Sequence, residues 1–264
     1  MSIIVRLYDE NMEPYGVKHI KGKIRTSSMP YTYDIAEGNV ADHISLNKFG
    51  HNEDVGAAYE DIWSGMGIYP FPASAVMLEV ASSAASDALA NEGGRTIELQ
   101  GLDRNWNQKT ETLTMAGTTY VKSSGTFRRI HRAKIVTAGN SGSNVGKVTI
   151  RASGATALAK VEAGLGQTLM AVWTVPSGYT FYMNEWYASS AVAKAIDLGI
   201  WARDNDVSDA AFQNKQFVNF TLDTFKYNMV NPLKFTHKTD IVVRAKAAGA
   251  GGDVSGGFAG WFEL

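Results

Sequence analysis

The stretch from Arg95 to Met115, RTIELQGLDRNWNQKTETLTM, sets the tightest limit on how this chain can fold. Ile97 and Leu99 alternate with Glu98 and Gln100, a turn-rich LDRNWN follows, and Leu113 and Met115 then alternate with Thr112 and Thr114. Successive side chains of a strand point to opposite faces. A period of two on both sides of a short polar break therefore predicts a β-hairpin with one buried face.

The same pattern recurs downstream. Val76, Leu78 and Val80 alternate as a strand, Phe127 to Val136 (FRRIHRAKIV) reads as another, and Lys147 to Ala152 returns after the turn TAGNSGSNVG. Further strands are predicted over 169–175, 179–188, 196–200, 216–222 and 240–247, with FAGWFEL as the last one after a glycine-rich loop, AAGAGGDVSGG. Ser82 to Gly94 offers at most one or two helical turns. Short strands between Gly/Ser/Asn turns at roughly ten-residue spacing predict an all-β chain built from antiparallel, jelly-roll-like β-sandwich units. The small, Gly/Ala-rich ASGATALAKVEAGLGQ (152–167) is the best boundary between two such units.

Residues 1 to about 65 differ. After the alternating Ile3, Val5 and Leu7, the chain is punctuated by Pro14, Gly16, Gly22, Pro30, Gly38, Gly50, Gly56 and Gly65, which predicts an irregular arm. Its aromatics Tyr31, Tyr33, Phe49, Tyr59 and Trp63 need cover, from the body or from a neighbouring subunit. The expected division is an arm at 1–65, a first sandwich at 66–160 and a second at 161–264, with a soluble body left when the arm is removed.

Composition narrows the function. With 25 basic and 26 acidic residues the formal net charge is −1, so no general pull toward nucleic acid or an anionic membrane exists. There is no cysteine, which excludes disulfides, thiol nucleophiles and zinc-thiolate sites. Arg6 and Asp9 interrupt the first apolar run before a signal-peptide core forms, and no apolar run reaches membrane-spanning length. We expect synthesis in the cytosol and no membrane partner.

Candidate chemistry is sparse. Gly142 to Val148, GSNVGKV, is a phosphate-loop decoy with one residue too few and no Ser or Thr for magnesium, so a hairpin turn is expected. Asp204 to Asp209, DNDVSD, begins like a calcium loop but has Asp209 where glycine belongs and Lys215 where glutamate belongs, leaving at most a weak cation site. His43 and His51 match no metal-ligand spacing. No nucleophile elbow or zinc-protease motif is present, so a catalytic role, a metal and a cofactor are not expected.

The sharpest local feature is FRRIHRAK. Arg129 and His131 fall on one side and Arg128, Arg132 and Lys134 on the other, which a central core strand would not tolerate. Three readings follow: an edge strand protected by charge, an intersubunit or acidic-partner contact, and a weaker nucleic-acid contact. Trp106, Trp186 and Trp201 are either packed inside or stacked on sugars.

YDIAEGNVADH (33–43), NKFGHN (47–52), RTIELQGLD (95–103), FRRIHRA (127–133), GQTLMA (166–171) and VPSG (175–178), in this order over most of the chain, resemble a family of tailed-bacteriophage virion proteins common in aquatic phages. The resemblance implies a non-enzymatic structural protein of the virion, made in the host cytoplasm, that decorates or stabilises the capsid. Its partners would be the major capsid protein or other virion proteins and copies of itself. The interface residues, expected from the arm's aromatics and the FRRIHR run since the resemblance assigns none, are Tyr31, Tyr33, Phe49, Tyr59, Trp63, Arg128, Arg129 and Arg132. A tail or fibre component that binds a receptor or carbohydrate is the alternative.

Overall fold

The computed structural model describes residues 31–264, so the alternating Ile3, Val5 and Leu7 and the first part of the arm lie outside the described residues. The described chain is almost wholly β. A short helix, α1 (Tyr31–Ala36), precedes β1 (His43–Val55) and β2 (Glu60–Asp61). Then come β3 (Val76–Ser82), β4 (Gly94–Leu102), β5 (Gln108–Thr114), β6 (Val121–Phe127), β7 (Arg129–Ala138), β8 (Val148–Ala152) and β9 (Ala157–Val161). The chain ends with β10 (Val172–Thr174), β11 (Thr180–Ser190), β12 (Ala195–Asp204), β13 (Gln213–Thr221), β14 (Thr224–Phe235), β15 (Thr239–Ala247) and β16 (Gly252–Glu263).

These strands form four antiparallel sheets. Sheets β6-β3-β8-β9 and β5-β4-β7 close over Leu78, Ile97, Leu99, Phe127 and Ile150 as the first sandwich. Sheets β1-β16-β11-β14 and β10-β15-β12-β13 close over Phe181, Trp186, Ile200, Val243 and Phe258 as the second, with β2 also pairing β15. The β4–β5 hairpin has the register the alternation implies, Thr96 opposite Thr114 and Leu102 opposite Gln108, and Ile97 and Leu99 are fully buried.

The expected division of the chain changes in one respect. Residues 43–55, read as irregular arm, are a thirteen-residue strand that pairs along β16, His43 opposite Glu263 and Gly50 opposite Gly256. The second sandwich is therefore assembled from both ends of the described chain, and the first is inserted between β2 and β10. Gly50 misled the reading: a Cβ there would collide with the Ile62 carbonyl and the Ala171 N–H, so glycine admits the two crossing connections and does not break a strand. The second half of the glycine-rich loop before FAGWFEL, from Gly252, is likewise inside β16, where a Cβ on Gly257 would strike the Lys48 carbonyl. The boundary near 160 falls in β9, which pairs β8. Ser82 to Gly94 contains no helix.

Within sheet β10-β15-β12-β13, the strand β15 is covered on both sides. Ile241, Val243 and Ala245 of β15 face the second core, whereas the fully buried Val242 packs into the first. A strand buried on both faces loses the apolar/polar alternation of a half-buried one.

Leu99→Asp should abolish cooperative melting, a loss above about 4 kcal/mol, because it buries an unpaired charge. Thr112→Asp on the outward face should change stability by less than about 0.5 kcal/mol. Removal of residues 1–65 strips β1 and β2 from the second sandwich, so that variant should be insoluble or melt without cooperativity.

Candidate functional site: the joint between the sandwiches

FRRIHRA is not one strand. β6 ends at Phe127, Arg128 turns the corner, and β7 begins at Arg129 in the other sheet of the first sandwich. β7 pairs β4 on one side, while its far edge is capped by the segment at 166–168: the Ile135 N–H donates to Gly166 (2.7 Å) and the Thr168 N–H to Ala133 (2.9 Å). Its two arginines turn to the second sandwich, and Lys134 pairs with Glu98 of β4 (3.0 Å).

Arg129 is 2% exposed and grips Asp240 of β15 with two bonds, from Nε and Nη2, each 2.9 Å. Asp240 has no exposed surface and also accepts from Thr174 Oγ1 (2.6 Å) and Arg203 Nη2 (2.6 Å). Burial alone would push its carboxyl up, but the hydrogen bonds and charge of Arg129, with Thr174 and Arg203, hold it below the ordinary value. The remaining donors of Arg129 reach the carbonyls of Pro72 (2.8 Å) and Arg128 (2.9 Å). Removing one partner from such a cluster costs about 3–5 kcal/mol, since an uncompensated charge is left inside.

Aromatic rings separate the guanidinium groups. Phe71 lies between Arg129 (5.2 Å) and Arg203 (5.1 Å), and Phe212 between Arg203 (4.6 Å) and Arg244 (4.4 Å). A ring face attracts a cation, so the alternation spaces three like charges with favourable contacts. Arg244 ends the row on Asp61, with Nε donating over 2.5 Å. Burial raises the Asp61 carboxyl despite that bond.

Two residues further along β7, the His131 ring accepts the Thr174 N–H at Nε2 (3.2 Å). That bond requires the neutral ring. Burial, then Lys48, keeps the imidazole well below its usual value. The His131 carbonyl in turn accepts from the ammonium of Lys48, a residue of β1 only 3% exposed. Here the sandwiches part into a cleft of about 440 Å³ bounded by β1, the β4–β5 hairpin and β7.

The glycine-rich decoy also resolves. β7 and β8 belong to different sheets, so GSNVGKV does not close a hairpin. It cradles an anion of its own chain: the Asp87 carboxylate accepts the N–H groups of Val145 (2.8 Å), Gly146 (2.9 Å) and Gly94 (2.8 Å) and the Ser82 hydroxyl (2.5 Å). Burial opposes ionisation of Asp87, and these four donors together outweigh it. The Asp206 side chain is occupied by Lys238 (2.7 Å) and His237 (3.2 Å), and among the described residues no three His, Cys, Asp or Glu are grouped to hold a metal.

The expected interface residues divide. Tyr31 and Tyr33 on α1 are half exposed, at 50% and 45%, with Tyr31 edge-on to Trp261. Phe49 and Tyr59 are half-buried, beside Arg132 (5.9 Å) and Trp201 (5.4 Å). Trp63 is buried against Tyr69, and Arg129 is buried at the joint, so both are committed inside the chain and leave the interface set. Arg128 covers the Trp106 ring (4.6 Å), and Arg132 donates to the Asn47 carbonyl (2.9 Å). Trp186 is interior. Asp240, Arg203, Arg244, Phe71 and Phe212 were not singled out from sequence; the one available signal was a charge at each end of the apolar run Asp240 to Arg244.

No family model matches the sequence, and no curated protein does. Among solved structures, a bacterial lipoprotein from Bacteroides thetaiotaomicron is 9% identical, over 85% of this chain and 95% of that one, at a TM-score of 0.20. The infectious bursal disease virus VP2 subviral particle is 8% identical, over 89% and 86%, at a TM-score of 0.13. Likeness at this level carries no argument about this chain. No helix among the described residues is long and apolar enough to cross a membrane.

Asp240→Asn should cost about 3–5 kcal/mol at neutral pH by leaving two guanidinium groups facing each other. The sign of the pH dependence follows from its lowered folded-state value. The Asp240 contribution is complete above its unfolded value, about pH 4, and is lost as pH falls through the lower folded one. Glu79, held at about 2 by Ser153, Gly154 and Arg151, acts in the same direction. Urea titrations from pH 7 to pH 3 should show the wild-type chain losing stability more steeply than Asp240→Asn.

Proposed function

We propose that this chain is a non-catalytic structural protein of a tailed-phage virion, decorating or stabilising the capsid beside the major capsid protein and copies of itself. Support comes first from the ordered run of segments that resemble such virion proteins. The observation that carries the reading is the margin formed by β13 and β14. Each is the outer strand of its sheet, and between them they expose Phe217 (54%), Leu222 (57%), Tyr227 (46%) and Val230 (93%). Isolated exposed apolar groups are common, but three on two consecutive edge strands, with Leu222 in the turn that joins them, are suited to lasting contact with a neighbour. Tyr31 and Tyr33 supply a second apolar contact.

Such a protein acts by being held. Its place would be the virion, after synthesis in the host cytoplasm. The polar cleft between the sandwiches favours a second reading, a tail or fibre component that binds carbohydrate.

Phe217→Asp combined with Val230→Asp should leave the melting transition nearly unchanged while reducing co-sedimentation with capsids of the phage that encodes the chain by at least about tenfold. Wild-type co-sedimentation of the double variant removes the margin as the contact. Density for the chain in the tail alone, in a reconstruction of the particle, replaces the capsid reading with the second.

A further inference from the structure

We propose that the cleft between the sandwiches binds a small acidic saccharide, a sugar bearing a carboxylate or a phosphate. Sixteen residues line it, and none is an aspartate or glutamate. Three are cations: Lys48, Lys109 and Arg132. Lys109 already has a carboxylate, Glu111, at 3.3 Å. Among the described residues the other two meet only neutral acceptors, Lys48 the His131 carbonyl and Arg132 the Asn47 carbonyl at 2.9 Å.

Lys48 breaks the habit of the molecule. Three guanidinium groups at the joint, buried or half-buried, are answered by carboxylates, Arg129 and Arg203 by Asp240 and Arg244 by Asp61. A cation 97% removed from water without a counter-charge is costly unless something else supplies one. Burial, with Arg132 adding to it, holds the Lys48 ammonium well below its ordinary value, and an anion seated between the two side chains would reverse that pressure. A fold under no such demand would place an apolar side chain at this inward position of β1.

The rest of the lining selects the body of the ligand. Gln108 and Gln167 offer paired donors and acceptors suited to vicinal hydroxyls, Gln100 being engaged by Glu98 (2.7 Å), and the half-buried Phe49 ring offers an apolar face for a pyranose. At about 440 Å³ the cleft suits one or two sugar rings. This inference goes beyond the virion role and is read on the isolated chain, whereas capsid association is read on particles, so either can fail alone.

Calorimetric titration of the full chain with D-glucuronate, glucose 6-phosphate, glucose and sodium sulfate tests it. At least one acidic sugar should bind with Kd below about 1 mM, glucose should not, and the tighter of the two arms identifies carboxylate or phosphate as the anion. Lys48→Met and Arg132→Gln should each weaken binding at least about tenfold, with the melting transition of Arg132→Gln retained. If Lys48→Met does not fold, Arg132→Gln decides. The proposal is overturned if neither acidic sugar binds up to about 10 mM, if glucose or sulfate alone binds as tightly as the acidic sugars, or if Arg132→Gln binds like wild type.

Discussion

A carboxylate sealed from water stays ionised only if cations and donors surround it, and Asp240 obtains them from three other segments of the chain. Arg129 comes from the first sandwich, Thr174 from the short strand that re-enters the second, and Arg203 from the neighbour of β15. Neither arginine can move without losing its carboxylate, and moving Thr174 takes a donor from a buried carboxylate. The inserted sandwich is thereby fixed in place, in a way that apolar contact between two sheets would not achieve, because grease tolerates sliding and a two-pronged guanidinium bond does not. The connections are woven into the same joint. Ile62 donates to Val243 (2.9 Å), Ala171 to Ile62 (2.9 Å) and Val243 to Ala171 (3.1 Å), so the strand leaving the second sandwich and the strand returning to it are tied to β15 and to each other.

The joint also explains the composition of β7. A strand with arginine on both faces looks like a protected edge or a docking strip, and it is an edge by pairing, yet Arg129 is spent on a carboxylate of the same chain. Phe71 and Phe212 let Arg129, Arg203 and Arg244 crowd together by placing a ring face against each guanidinium plane, so three cations share two carboxylates. Ordinary i, i+2 reading cannot tell a charge aimed at water from one aimed at a second domain of the same chain.

What could be read from sequence follows the same logic. The β4–β5 hairpin, β3 and the Ile241, Val243, Ala245 face of β15 were legible because a single buried face imprints a period of two, and the hairpin partners are close in sequence. β1 was not, because its partner β16 lies some 200 residues away and Gly50 is there for a backbone crossing. β16 was obscured by glycines that stand where a side chain would strike the strand alongside. The candidate site was legible only as the run FRRIHR. Asp240 carried no local mark beyond its place at one end of an apolar run, since the arginines that explain it are 111 and 37 residues distant.

The margin at β13 and β14 is open in side chains but guarded in backbone. Between the pairs Met183–Leu233 and Glu185–Asn228, β11 spends one residue and β14 spends four, which throws Val230 outward while Met229 stays buried and Pro232 removes a donor. A strand from another chain therefore finds no continuous ladder to extend along β14, as edges that must avoid indiscriminate pairing require. What is left for a neighbour is a set of apolar side chains at fixed positions, a geometry that favours one partner surface over open-ended sheet growth.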